Sequence, residues 1–298
     1  MENTCYLVCS RGILKSCDFF SESPKSSCNN DHNYLHKMLN NMFDGMTIYV
    51  CSDLLLYFFE NIFPKINKKF TLITGDSDLC VPHEILSREK TDIMVNSLYL
   101  IKWFAQNTIL QNHSKIYQLP IGLDYHTILN NVNHKWKLPK EGCLPVEQEK
   151  ILFSIFKNSK PFFLRIPKIY VNFTKENDRF GDRKKSLKSI PKKLLVINDK
   201  FVPRTVNWNN IKKFAFVLSP FGNGMDCHRT WEALCLGSIP IIRDNRFKKL
   251  FEELPVLIVN EWHEINEALL INTINVFKNT KFNCEKLNLE YWINKIKN

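Results

Sequence analysis

The sequence predicts an α/β protein built on parallel sheets, and three features carry that prediction. Residues 214–243 (FAFVLSPFGNGMDCHRTWEALCLGSIPIIR) read as apolar strand, glycine-rich turn, short helix and second strand, the content of a βαβ unit. Strand-like and helix-like segments alternate regularly elsewhere, over 47–80 and again over 168–277. Between them, residues 130–149 (NNVNHKWKLPKEGCLPVEQE) lose periodicity and gain Pro, Gly and charge. A linker is expected there, dividing the chain into 1–140 and 141–298.

In chain order, Thr4 to Ser10 alternates, with Cys5, Leu7 and Cys9 on one face, and is expected to form the first strand. Thr47 to Cys51 is a second strand, and Asp53 is placed to cap a helix reaching Ile62. Phe70 to Thr74 is a third strand, ending in the turn Gly75-Asp76-Ser77-Asp78. Apolar segments follow at 97–107 and 116–123, the second running into Asp124-Tyr125-His126. Past the linker come a helix at 146–156, a strand at 168–173, the polar and basic loop 174–183, and a helix–strand pair ending at Asp199. Beyond 243 the pattern gives a helix at 245–253, a strand at 255–259, a helix at 261–277 and a closing helix around 290–293.

The chain has 298 residues, 44 % of them hydrophobic, which is enough for ordinary cores. Its formal net charge of +11 favours acidic partners: a sugar nucleotide, a membrane surface or nucleic acid. The signatures of helix-turn-helix, zinc-finger and RNA-binding modules are absent, so no nucleic-acid partner is expected. No run of apolar residues has the length of a transmembrane span, and the N-terminal segment MENTCYLVCSRGILK lacks a signal-peptide core. Together with cysteines scattered inside apolar runs, this predicts a cytoplasmic protein with free thiols. Cys5, Cys9, Cys28, His32 and His36 fit no compact zinc module, and no metal is expected.

Within 226–236, Asp226 is a good N-cap, and Gly237 stops the helix. Trp231, Leu234 and Cys235 fall at i, i+3, i+4 and should face the sheet, leaving Arg229 and Glu232 together on the other side. An arginine in a first turn opposes the helix dipole unless an anion sits in front of it. A carboxylate one turn deeper can accept hydrogen bonds from a diol. Anion and diol together describe a nucleoside diphosphate; the alternative is a surface ion pair between the two.

The wording of the segment, SP-x-G-N-G-x-D-x-H-R-x-W-E-A-L-x-x-G-x-I-P-I, resembles the donor-binding segment of exostosin-like glycosyltransferases. It is most similar to the branch containing the ribitol β-xylosyltransferase and related proteins of large viruses and microbes. The resemblance is sharp over 205–263, weaker over 70–126 and thin elsewhere. It implies the GT-B fold, two Rossmann-like domains facing across a cleft, with the sugar nucleotide held mainly by the second. It also implies inverting transfer to a glycan or other hydroxyl acceptor, with a UDP-sugar donor and no metal or other cofactor. Ser219, Gly222, Asn223, Gly224, Asp226, His228, Arg229 and Glu232 become donor-binding candidates, and Arg179 or Arg183 of the basic loop would face the phosphates.

Inverting transfer needs a base for the acceptor hydroxyl. Asp76, Asp78 and His126 are the candidates, because they follow strands of the half that would hold the acceptor. Asp76-Ser77-Asp78 also matches the D-x-D that grips Mn²⁺ in GT-A enzymes, which keeps a metal-dependent alternative open. Two other readings remain: a catalytically inactive nucleotide- or glycan-binding protein on the same fold, and a basic nucleic-acid-binding protein.

Overall fold

The apolar runs Met46–Cys51 (β1), Phe70–Gly75 (β2), Leu100–Ala105 (β3) and Ile116–Gln118 (β4) pair side by side, all parallel, in the order β1-β2-β3-β4. A second, separate parallel sheet holds Ile166–Val171 (β5), Leu195–Ile197 (β6), Phe214–Leu218 (β7), Ile239–Arg243 (β8) and Leu257–Val259 (β9). Its order is β6-β5-β7-β8-β9, a doubly wound arrangement whose strand order reverses between β5 and β7. The structure, a computed structural model, describes residues 2–22, 32–174, 176–198, 200–243 and 245–298. Cys28 of the zinc reading, Lys175 of the basic loop and Asp199 lie outside them. Two Rossmann-like parallel sheets with opposed carboxyl edges make the chain an α/β protein of GT-B architecture.

Helices cover both sheets because the strands are apolar on both faces: β1, β2 and β7 are buried throughout. One apolar cluster passes through both halves, joining Val8, Ile13 and Phe104 to Leu152, Trp231 and Trp292. The closing helix Leu289–Lys297 packs on the N-terminal segment: Leu289 N–H donates to the Tyr6 carbonyl, and Val8 N–H to the Leu287 carbonyl.

Three sequence expectations are corrected. Thr4 to Ser10 is not a strand: Glu2–Thr4 is a 3-10 turn, and a helix starts at Ser10. The Glu149 carboxylate takes the Tyr6 and Leu7 N–H groups at 3.0 and 2.8 Å, so they have no ladder to join. Asp53 caps no regular helix. The segment from Ser52 to Lys65 passes from 3-10 through α and π geometry and back to 3-10, and Asp53 accepts from the Ser77 hydroxyl at 2.6 Å instead. Asp226 does not cap its helix either; Cys227 occupies that position without a side-chain cap in front of His228–Cys235.

The N-terminal segment is locked against the first sheet at Gly122. That residue has φ +64, and a Cβ on it would collide with the Val8 carbonyl. Gly122→Ala is therefore expected to cost about 1–3 kcal/mol through backbone strain, as measured by urea unfolding.

Candidate functional site

Ligands in open parallel sheets bind beyond the carboxyl ends of the strands, where the strand order reverses. Here that place lies between β5 and β7, and the loops 172–181 and 219–227 leave its two sides. The carboxyl edge of the first sheet meets the same region. Asp226 N–H donates to Asn107 Oδ1 at 2.8 Å, and Ile121 N–H donates to Asp226 Oδ2 at 2.8 Å. His228 Nδ1 lies 2.7 Å from the Gly122 carbonyl oxygen. Arg179 grips Glu84 with two hydrogen bonds of 2.6 and 3.1 Å.

These contacts reassign several candidates. Asp226 and His228 act in the junction between the halves. Trp231 Nε1 also donates to the Asp226 carboxylate at 3.0 Å, and burial pushes that carboxyl up to about 6. Arg179 is occupied by Glu84. Ser219 Oγ is 2.8 Å from Thr230 Oγ1, which ties β7 to the helix. Asp76 pairs with Arg11 at 3.0 Å, both buried, and its left-handed backbone (φ 61) is held by Gln106 Oε1. A carboxylate neutralised in this way is poorly suited to be a base.

The other basic residues behave differently. Arg183 and Arg229 lie over the Phe173 ring, 5.4 and 5.0 Å from its centroid. The Cys227 thiol donates to the Pro220 and Gly224 carbonyls, at 3.7 and 3.9 Å. Arg183 Nη1 donates to the Thr174 carbonyl at 2.8 Å, whereas its buried Nε has no partner. Among the described residues, Arg229 donates only to the Pro220 carbonyl, at 3.4 Å. Among the described residues, no carboxylate lies within ion-pairing distance of either guanidinium. Burial, reinforced by the neighbouring Arg183, pushes the Arg229 group down to about 10, so it remains a cation at neutral pH. Burial lowers Arg183 as well. Two neighbouring cations, Arg183 buried and Arg229 half-buried, with no carboxylate at ion-pairing distance among the described residues, form an anion-binding arrangement.

Glycine makes the approach possible. A Cβ on Gly222 would lie 2.6 Å from Arg183 Nη2, so any side chain there would displace the guanidinium. Asn223 is exposed beside it. On the facing wall, Asp78 Oδ1 would be 3.1 Å from a Cβ on Gly224, and burial raises the Asp78 carboxyl.

Trp231, Leu234 and Cys235 are buried as their spacing predicts, and Glu232 faces the other way. Glu232 makes no ion pair with Arg229; its nearest cation is Arg204, 3.8 Å away. The surface-pair alternative is thereby removed. Arg204 also pairs with Asp124 at 3.2 Å, and Asp124 Oδ1 lies 3.3 Å from His126 Nδ1. Burial would raise the Asp124 carboxyl, yet His126 and Arg204 hold it well below the usual carboxylate range. Burial lowers His126, which favours the neutral ring, and its ring centroid is 6.2 Å from that of His228. Among the described residues, no three His, Cys, Asp or Glu side chains converge to hold a metal.

Sequence reasoning passed over four residues here. Phe173 forms the floor beneath the two arginines. Asn172, at the carboxyl end of β5, has a buried Oδ1 with no hydrogen-bond partner. Asp182 is buried and accepts from Phe221 N–H, Trp262 Nε1 and Arg243 Nε at 3.0, 2.8 and 2.8 Å, which fixes the start of the glycine loop. Arg204 joins Asp124, Gln148 and Glu232. Position after a strand was the available signal for Asn172 and Phe173. Nothing local marked Asp182 or Arg204, whose partners are distant in sequence.

No protein-family model matches the chain, and no curated protein matches it. Among solved structures, the chain is similar to one described as trehalose-6-phosphate from E. coli bound with UDP-2-fluoro glucose, at 10 % identity and a TM-score of 0.43. That similarity covers 89 % of this chain and 76 % of the other. Among the described residues, no helix is long and apolar enough to cross a membrane.

Proposed function

We propose that this chain is an inverting, metal-independent glycosyltransferase that moves a sugar from a UDP-sugar to a glycan or other hydroxyl acceptor. The observation that carries the reading is the Arg183–Arg229 pair over Phe173 at the strand-order reversal, without a carboxylate at ion-pairing distance among the described residues. The exostosin-like wording of 219–241 supports the same reading. Residues 1–140 serve as the acceptor domain and 141–298 as the donor domain.

In this mechanism the two guanidiniums hold the donor diphosphate, and the backbone at Gly222 and Gly224 lets it come close. Glu232 accepts hydrogen bonds from ribose or sugar hydroxyls. His126 is the base, with Nδ1 3.3 Å from Asp124 Oδ1 but outside hydrogen-bond geometry, and its neutral ring receives the acceptor proton on an unprotonated nitrogen. The acceptor oxygen then bonds to the anomeric carbon as the bond to the diphosphate oxygen breaks. The electron pair leaves with the diphosphate, whose growing charge the arginines stabilise without a metal.

Arg229→Ala should weaken UDP by about 2–4 kcal/mol while leaving uridine nearly unchanged, because it removes a phosphate contact and spares the nucleoside. Isothermal titration of both ligands, with and without EDTA, measures this. Unchanged UDP affinity in the variant would overturn the donor site. UDP binding that requires Mn²⁺ and disappears in Asp76→Ala would replace the mechanism with a metal-dependent one.

A further inference from the structure

We propose that the edge of the second sheet opposite the cleft is a docking surface for an anionic membrane. β6, β5 and β7 are neighbours, about 4.8 Å apart, so the turns entering them share one edge. Those turns are KSIPKKL (188–194), KNSKPFFLRIPK (157–168) and NNIKK (209–213), and none contains an acidic residue. The segment KNTKFN (278–283) joins them, with Lys278 Nζ 5.2 Å from the Phe163 ring centroid. Lys160, Lys192, Lys193 and Lys213 are all exposed. On the rim, Glu267 pairs with Lys193 at 3.1 Å.

Apolar groups project from the middle of this basic ring. Leu164 is 62 % exposed at the end of the Phe162–Leu164 turn, and Phe156 and Ile166 are 48 % and 47 % exposed beside it. Lysines at helix C-termini complement the helix dipole, which accounts for Lys157 and Lys278. It does not account for a leucine, an isoleucine and a phenylalanine left in water among them. Lysines at the headgroups with an aromatic and aliphatic tip below them are the complement of an anionic lipid surface. Nucleic acid would use the lysines and leave the Leu164 tip without a role.

Sedimentation of the full chain with phosphatidylcholine vesicles, with and without phosphatidylserine, tests the proposal. Three variants are compared with the parent, each checked by thermal melting for an unchanged fold. The triple charge reversal Lys160→Glu, Lys192→Glu, Lys213→Glu takes one lysine from each strand entrance. Leu164→Asp removes the apolar tip, and Lys68→Glu reverses a lysine outside the patch. Binding is expected only with phosphatidylserine. It should weaken by at least about tenfold in the triple variant and also fall in Leu164→Asp, with Lys68→Glu unchanged. Failure to sediment with phosphatidylserine vesicles overturns the proposal, as does equal loss in Lys68→Glu. Tight binding of a single-stranded oligonucleotide that Leu164→Asp leaves intact, without vesicle binding, would assign the surface to nucleic acid.

Discussion

His126→Gln should lower turnover by about 10²–10⁴-fold, the usual contribution of a positioned base, with UDP affinity little changed. The ring stands on the half facing the donor site, its Nδ1 3.3 Å from the buried Asp124 carboxylate. Burial sets its protonation, lowering the imidazolium against an ordinary value of 6.5, so the ring is neutral and able to accept a proton at pH 7. The sign follows. A base works when deprotonated, so activity is lost as pH falls through a pKa that lies below 6.5. The acid limb of kcat/KM should sit on that side in the parent and disappear in the glutamine variant. A glutamine variant with parental turnover and an unshifted limb would remove His126 from this role. Asp78, whose carboxyl is raised by burial on the facing wall, would then be the group to replace.

What was legible in the sequence follows from the range of the interactions concerned. Strands such as Phe214–Leu218 announce themselves because a doubly covered parallel strand must be apolar along its whole length. The turn after β7 was readable for the same local reason. Asp226 shows where this stops. Its sequence position is that of an N-cap, but Ile121 N–H, 105 residues away, and Trp231 Nε1 take its carboxylate. The misread strand at Thr4 to Ser10 has the same origin, since its amides are claimed by Glu149 from the far half of the chain. Hydrogen bonds from amides distant in sequence decided these residues, and such partners lie outside any window of local pattern. Arg229 was a donor candidate from its place in the first turn of a helix and from the exostosin-like wording around it, and Arg183 from the place its loop would take in the fold that this resemblance implies. That neither forms an ion pair with a carboxylate among the described residues needed the fold to see.

Arg204→Ala should destabilise the protein by about 3–5 kcal/mol at neutral pH, more than removal of any exposed charge. Its guanidinium forks to the Asp124 carbonyl, to Asp124 Oδ2 at 3.2 Å and to Gln148 Oε1 at 2.9 Å, with Glu232 Oε1 3.8 Å from Nε. The Trp136 ring lies beneath it at 4.9 Å. Truncation leaves Asp124 buried without its cation, and the cost is the desolvation of that carboxylate rather than the loss of one contact. The pH dependence separates this cause from simple loss of packing. Asp124 is depressed in the folded protein, so its pairing contributes stability above the unfolded carboxylate value of about 3.9. That contribution is lost as pH falls through the lower folded value. The gap between parent and Arg204→Ala in urea unfolding should therefore be widest near neutrality and narrow below about pH 4. Arg204→Lys should recover only part of the loss, because one ammonium cannot serve the carbonyl, the carboxylate and the amide in the geometry of a planar fork. A cost below about 1 kcal/mol, or a gap constant with pH, would mean that Asp124 is neutralised by His126 instead. The Asp124–His126 pair would then be ionic at neutral pH, and the neutral-base mechanism would fail with it.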